Sequence, residues 1–141
     1  MLVFTRSPSH QELARRLGAT WVGQAQETPP VPLDSAIIFA PAGKLVPEAL
    51  RVLDRGGVLA LAGIYMTPIP ALDYEKSLYY EKTVRSVTAS TRQDGREFLK
   101  LAAKIPIQPK VQLFPLEEAN QALSLIKAGQ IDGAAVLTLQ T

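Results

Sequence analysis

The sequence predicts an α/β protein built on a doubly wound parallel sheet, and the segment from Leu33 to Ile64 carries most of that prediction. Two apolar runs, 33–40 and 58–64, are rich in Ile, Val and Leu and suit strands that are buried on both faces. A stretch with a helical period, 44–55, lies between them. Two buried strands joined by a helix run parallel with a right-handed crossover, so this segment is one βαβ unit.

The helix expected at 44–55 is amphipathic. Its apolar stripe is formed by Leu45, Ala49, Val52 and Leu53, and most of its charge lies on the opposite side, at Lys44, Glu48, Arg51 and Asp54. Pro47 falls in the first turn, where a missing backbone N–H costs least. The pair Gly56-Gly57 is expected to end this helix.

Another βαβ unit is predicted ahead of the central one. Its elements are a strand at 1–5, a helix from Pro8 to about Leu17 and a strand at 19–23. Ser7 is placed to cap this helix, and Gly18 is placed for the left-handed residue that follows it. The buried face of the helix is expected to hold Leu13, Ala14 and Leu17. A polar, proline-rich loop at 24–32 joins the two units, and this order of elements is typical of a doubly wound sheet.

The remaining elements are shorter. They are a loop with room for one helical turn at 65–80, an edge strand at 83–88, a helix that Pro106 ends, a strand at 111–114, a helix from Pro115 to Gly129, and a strand at 133–139. Thr91 and Asp94 have the spacing of a capping box for the first of these helices, which carries Phe98, Leu99, Leu101 and Ala102. The second is expected to bury Ala119, Ala122, Leu123 and Ile126.

Composition excludes several classes of function. The chain has 141 residues, a net charge of +2, no Cys and a single His, so it offers no disulfide, no cysteine nucleophile and no cysteine or histidine metal cluster. Acids and bases are mixed along the chain without the basic patch that nucleic acid requires. The longest apolar run is far below the ~20 residues of a membrane span, and the N-terminus has no leader pattern, so a cytoplasmic protein is expected.

The order of several short motifs resembles the C-terminal part of the zinc-type, medium-chain alcohol dehydrogenase (quinone reductase/alcohol dehydrogenase) superfamily. The matching segments are Glu12 to Ala19, Leu50 to Gly63, Glu97 to Ala102, Phe114 to Ala122, and Gly129 with Val136-Leu137. The first of these contains Leu-Gly-Ala, and the fourth contains Pro-Leu-Glu-Glu-Ala. Their order and spacing extend over nearly the whole chain.

This resemblance implies an incomplete Rossmann-like domain. Members of the family have a GroES-like domain with the catalytic zinc ligands, followed by a first nucleotide-binding strand and a Gly-rich turn, and none of these is found here. The resemblance assigns 1–89 to the dinucleotide-binding domain and 90–141 to a segment that packs against the catalytic domain. It implies an oxidoreductase fragment, inactive by itself, from an enzyme that transfers hydride between NADP(H) and an alcohol or aldehyde. The alternative is a non-catalytic nucleotide-binding or structural module that another chain completes.

The candidate cofactor residues follow three predicted elements. Thr5, Arg6 and Ser7 end the first strand, where a dinucleotide fold meets the adenosine ribose, and a guanidinium with hydroxyls suits the 2′-phosphate of NADP(H). The alternative is that Ser7 only caps the helix and Arg6 is a surface charge. Two segments follow the central strands, at the place where ligands bind in open sheets. They are Phe39, Ala40 and Pro41, and Ala62, Gly63 and Ile64. The alternative is that these residues only form the ordinary turns from strand to loop.

The remaining candidates have weaker signals. Arg92 could reach the pyrophosphate, or it is a solvated charge in a first helical turn. His10 is interpreted as a helix-surface residue, and Tyr65, Tyr74, Tyr79 and Tyr80 as packing or interface residues. Because a missing first strand leaves the second and fourth strands unpaired, and because relatives pair through an edge strand, we expect a homodimer in which Val84 to Thr88 pairs antiparallel with itself. No catalytic or metal-binding residue is assigned.

Overall fold

The structure is a computed structural model that describes residues 1–105, 107–131 and 133–139. These residues form two compact units, Met1–Ala89 and Ser90–Thr141. Pro106, which the sequence assigns to the end of a helix, lies outside the described residues. No helix within those ranges is long and apolar enough to cross a membrane.

The first unit contains strands and helices in the predicted order. In chain order they are β1 (Leu2–Phe4), α1 (Pro8–Arg16), β2 (Trp21–Gly23), β3 (Leu33–Ile38), α2 (Leu45–Val52), β4 (Leu53–Leu61), α3 (Tyr74–Ser77) and β5 (Thr83–Ser86). Each ladder, β1 with β2, β3 with β4 and β4 with β5, is parallel. The α/β class and the parallel sheet are therefore confirmed.

The strands of this unit form two separate sheets. One contains β1 and β2, and the other has the order β3, β4, β5, with no ladder between β1 and β3 in the part of the chain that the structure describes. In a doubly wound sheet the first strand lies between the second and the fourth, which correspond to β1 and β3. The break therefore falls where the missing strand was predicted. Ile37 on β3 is 59% exposed.

Half of the apolar stripe predicted for α2 is confirmed, because Val52 and Leu53 are buried. Val46 and Leu50 of α2 and Leu59 of β4 are fully buried, and Leu53 and Ile38 complete the cluster. Leu45 and Ala49, which were expected to form the buried stripe, only pack against its border. Val46 and Leu50 have the same helical spacing as Leu45 and Ala49, so periodicity alone did not distinguish the two pairs.

The predicted end of α2 is wrong. The helix ends at Val52, and Gly56 and Gly57 lie inside β4, which begins at Leu53. Gly56 has φ of +69°, and its N–H donates to the carbonyl oxygen of Tyr80 at 2.8 Å. The ladder with β3 shifts register between Leu33 and Ser35. The glycine pair therefore allows an irregular turn within the strand, because its first member takes a conformation that other residues rarely adopt.

Helix α1 buries less than predicted. Ala14 is buried, whereas Leu13 and Leu17 are exposed, Leu17 to 71%. The helix packs on a sheet of only two strands, which is narrow enough for one small residue to cover. Its remaining apolar residues therefore lack a surface to pack on.

The second unit is described by itself. It contains α4 (Arg92–Ala102), β6 (Val111–Pro115), one 3₁₀ turn (Leu116–Glu118), α5 (Ala119–Lys127) and β7 (Ala134–Thr138), and β6 pairs parallel with β7. The capping box of Thr91 and Asp94 is confirmed. Helix α5 buries Ala122, but Leu123 and Ile126 are exposed, contrary to prediction, because a two-stranded ribbon covers only a narrow strip of the helix. On α4, Phe98, Leu99 and Leu101 are likewise exposed.

Candidate functional site

An open recess of about 340 Å³ lies where β1 ends and α1 begins, and it is lined by Thr5, Arg6, Ser7 and His10. Three of these are the residues predicted to meet the adenosine ribose. His10 was interpreted as a surface residue only. Its position three residues after Ser7, at the start of a helix, could have indicated that it returns to the same place, since the first helical turn brings such residues onto neighbouring faces.

The main chain at the recess is held from two sides. The N–H of Thr5 donates to the carbonyl oxygen of Gly23 at 2.9 Å, which extends the β1–β2 ladder. The side chain amide of Gln11 donates to the carbonyl oxygen of Thr5, also at 2.9 Å. Arg6 is exposed, and its guanidinium forms no hydrogen bond or ion pair within the described ranges. The recess therefore presents an unpaired cation on a fixed backbone.

Ser7 has the backbone conformation of a helix cap without the usual side-chain contact. Its φ of −76° and ψ of 126° are those of an N-cap, yet its hydroxyl makes no capping bond. It lies 2.7 Å from the hydroxyl of Ser9 instead. The first N–H groups of a helix have no partner within it, so the positive end of α1 remains available at the recess. An anion is the kind of ligand that this arrangement suits.

The residues that follow β3 and β4 are brought together. The N–H of Ala62 donates to the carbonyl oxygen of Ile38 at 2.9 Å. A Cβ built on Gly63 would lie 2.9 Å from the carbonyl oxygen of Ala40, so the backbones of 39–41 and 62–64 are in close contact. This contact requires glycine at 63. Two of the predicted cofactor segments thus share one edge of the sheet.

Apolar and aromatic side chains project from this edge. Phe39 is 74% exposed, Ile64 is 72% exposed and Tyr65 is 95% exposed. Tyr65 has φ of 56°, a left-handed conformation that is unusual for a bulky residue. Strained backbone of this kind is found more often at ligand sites than elsewhere.

The other sequence candidates belong to other elements. Arg92 is the first residue of α4, in the second unit, and is exposed. The ring of Tyr79 contacts the rings of Tyr74 and Tyr80 edge to face. The Cζ atom of Arg55 lies 4.7 Å from the centre of the Tyr80 ring. These tyrosines surround the short helix α3 and do not line the recess.

The carboxyl group of Asp94 has a shifted pKa, and the cause is structural. Hydrogen bonds from the backbone and then the side chain of Thr91 hold the pKa of Asp94 below its usual range, which is the effect of the capping box. Within residues 1–105, 107–131 and 133–139, no group of three His, Asp or Glu side chains could hold a metal ion.

The sequence of the chain is similar to the sequences of known alcohol dehydrogenases. No family model matches the chain. The chain is 49% identical to a probable alcohol dehydrogenase, AdhA, of Mycobacterium tuberculosis over 137 residues, which cover 97% of the chain and 40% of that protein. It is 29% identical to an alcohol dehydrogenase of Geobacillus stearothermophilus, over 95% of the chain and 42% of that protein. The chain thus spans about two fifths of the length of the curated relatives it matches.

Solved structures agree on the fold. An alcohol dehydrogenase of Thermotoga maritima matches 99% of the chain with a TM-score of 0.79 at 19% identity, over 42% of that structure. The CAD protein of Helicobacter pylori, solved with NADP(H), matches 96% of the chain with a TM-score of 0.77 at 19% identity, over 40% of that structure. Protein yhfP of Bacillus subtilis, solved with NAD, matches 98% of the chain with a TM-score of 0.70 at 18% identity, over 46% of that structure.

Proposed function

Since this chain is a homologue of the alcohol dehydrogenases along almost all of its length, we propose that it supplies part of the cofactor site of an oxidoreductase. The complete enzyme would transfer hydride between NADP(H) and an alcohol or aldehyde. The chain itself would be inactive, because the family resemblance assigns the catalytic zinc ligands to a GroES-like domain outside the matched segment. One structural neighbour was solved with NADP(H) and another with NAD, which supports a nicotinamide cofactor.

The recess between β1 and α1 carries the proposal for NADP(H). Arg6 offers an exposed guanidinium without a protein partner among the described residues, beside a helix start that no side chain caps. A phosphate monoester on the ribose 2′-oxygen would satisfy both, because guanidinium and phosphate form charge-assisted, forked hydrogen bonds. The hydroxyls of Thr5 and Ser7 would donate to the remaining oxygens. NAD, which lacks this phosphate, would leave the recess unused.

The strand ends would receive the other half of the cofactor. In open α/β sheets ligands bind at the carboxyl ends of the strands, where Phe39, Ala40 and Pro41 meet Ala62, Gly63 and Ile64. Small residues at this contact would let a flat ring and a sugar approach the backbone. Arg92 would bind the pyrophosphate. On this proposal residues 1–89 are the C-terminal part of the dinucleotide-binding domain, and residues 90–141 form a segment that packs against the catalytic domain.

We also propose that the protein is a homodimer. Strand β5 is the edge of its sheet, and its outer side has no partner among the described strands. An exposed edge of this kind is a template for another strand. Antiparallel pairing of Val84 to Thr88 with the same segment of a second copy would cover it.

A second candidate function follows from the break in the sheet. The facing edges of β1 and β3 both lack a partner in the part of the chain that the structure describes, and one parallel strand between them would pair with both. That strand could come from a second polypeptide, which would make this chain a nucleotide-binding or structural module completed by another chain. The intact mass of the protein from its native source distinguishes the two. A mass well above 15.3 kDa supports the single enzyme, and a 15.3 kDa chain held by a second polypeptide supports the module.

Calorimetric titration with NADP+ and with NAD+ tests the cofactor proposal. We expect the phosphorylated cofactor to bind about one to two decades more tightly, since a hydrogen bond to a charged group contributes roughly 1.5–3 kcal/mol. Equal affinity for the two cofactors would contradict it.

A further inference from the structure

His10 is the one recess residue whose side chain had no assigned role. It is exposed, it lies in the first turn of α1, and it lines the recess together with Arg6 and Ser7. Its imidazole forms no hydrogen bond or ion pair with the residues that the structure describes. A histidine that neither packs nor pairs, beside an unpaired guanidinium, is placed to contact a ligand.

From this arrangement we infer that His10 is a second cationic ligand of the 2′-phosphate, and that protonation of its ring strengthens the selection of NADP(H). The inference rests on the proposed function of the recess. A protonated imidazole donates from both ring nitrogens, whereas the neutral ring donates from one. Arg6 and His10 would then contact the phosphate from the two sides of the α1 start.

No carboxylate on the neighbouring elements competes with a bound phosphate for a charge on His10. Strands β1 and β2 carry no ionisable side chain. On α1, Glu12 forms an ion pair with Arg15 at 3.9 Å, and Arg16 lies in the last turn. In the loop after β2, Glu27 accepts a hydrogen bond from the N–H of Gln24 at 2.7 Å. No carboxylate lines the recess, so a bound anion would be the partner of Arg6 and of a protonated His10.

The pH dependence has two opposing parts. The charge of a histidine ordinarily changes between about pH 8 and pH 5. A phosphate monoester loses one of its negative charges near pH ~6 as the pH falls, which by itself weakens binding to cations. The affinity of the native protein alone would therefore mix the two effects. The ratio of native to variant affinity isolates the contribution of His10, because the titration of the free phosphate is the same in both experiments and cancels.

The test uses adenosine 2′,5′-bisphosphate and adenosine 5′-monophosphate, which share the adenine half of the cofactor and differ in the 2′-phosphate. Each is titrated into the native chain, His10→Gln, His10→Lys and the control Arg16→Gln at pH 5.5 and at pH 8. His10 is the only histidine in the sequence, so its ring proton signals report contact directly in the NMR spectrum of the native chain. Trp21, the only tryptophan, reports by fluorescence that β1 and β2 remain folded.

We expect His10→Gln to bind the bisphosphate about tenfold more weakly than the native chain at pH 5.5 and within about twofold of it at pH 8. His10→Lys should retain tight binding at both values, and Arg16→Gln should match the native chain. Native affinity in His10→Gln at pH 5.5, or an equal loss for the monophosphate, would overturn the role of His10. If the native chain binds both nucleotides equally at both pH values, the proposed 2′-phosphate site itself fails, and the role of His10 fails with it.

Discussion

Gly43 lies directly against the main chain of Pro68: a Cβ at position 43 would overlap the carbonyl oxygen of Pro68. The N–H of Gly43 also donates to the hydroxyl oxygen of Thr67 at 2.9 Å. These contacts hold the segment after β4 beside the turn that leads into α2. They fix the loop that carries Tyr65, next to the strand ends proposed to bind the cofactor.

We therefore expect Gly43→Ala to destabilise the protein by about 3 kcal/mol, because the methyl group would displace backbone atoms, which cannot rotate away as a side chain can. Gly95→Ala is the matched control. Gly95 lies inside α4 with nothing within 4 Å of the added carbon, so this change should stabilise by about 0.5–1 kcal/mol. Urea unfolding followed by circular dichroism measures both. Equal stability of the two variants would contradict the described contact.

The core of the larger sheet depends on Leu50. Its side chain is fully buried, so Leu50→Ala should lower the free energy of unfolding by about 2–5 kcal/mol. Leu123→Ala provides the comparison, because Leu123 is 64% exposed and its loss should change stability by less than about 0.5 kcal/mol. A large loss from Leu123→Ala would mean that another surface covers α5 in solution.

Much of the fold could be predicted from the sequence because its local signals agree. Apolar runs, helix period, Ser7-Pro8 and the Thr91–Asp94 box gave the class and the order of the elements. Which apolar face is buried depends on what lies opposite, and that information is not local. Leu13, Leu17, Leu123 and Ile126 have the helical spacing of a buried stripe, yet all four are exposed. The sheets on which α1 and α5 pack have only two strands and are too narrow to cover them.

The candidate site was predicted less completely. The rule that ligands bind at the carboxyl ends of parallel strands correctly predicted that 39–41 and 62–64 lie together, since parallel strands end at the same edge of the sheet. It could not indicate that Ser7 leaves the start of α1 without a side-chain cap, or that His10 joins the recess. The first depends on the side-chain conformation of Ser7, whose hydroxyl contacts that of Ser9, and the second depends on which side of α1 packs on the sheet.

The capping box of α4 predicts a specific pH effect. The pKa of Asp94 is lowered by hydrogen bonds from Thr91, so its stabilising effect is complete above the pKa of an unfolded Asp, near ~3.9, and is lost as the pH falls through the lower folded value. Far-ultraviolet dichroism from pH 6 to pH 2 should show a loss of helix below about pH 4 that is larger in the native chain than in Asp94→Asn. Identical profiles would exclude the box as its cause.

The proposed dimer can be tested without disturbing the sheet. The N–H of Val87 donates to the carbonyl oxygen of Leu61, so that of Ser86, one residue earlier, points to the free edge of β5. Ser86→Pro would remove a donor that only a second copy uses, whereas Ser86→Ala keeps it. Sedimentation at micromolar concentration should give a dimer for the native chain and Ser86→Ala, and a folded monomer for Ser86→Pro. A native monomer would refute the proposal.

The central claim is that Arg6 selects the 2′-phosphate, and the most direct test is the ratio of NADP+ to NAD+ affinity in Arg6→Ala. The control is Arg16→Ala, which removes an exposed guanidinium from the other end of α1. We predict that Arg6→Ala lowers the ratio by about tenfold or more, with NAD+ affinity little changed, and that Arg16→Ala leaves it unaltered. An unchanged ratio in Arg6→Ala, or an equal loss of both cofactors, would contradict the claim.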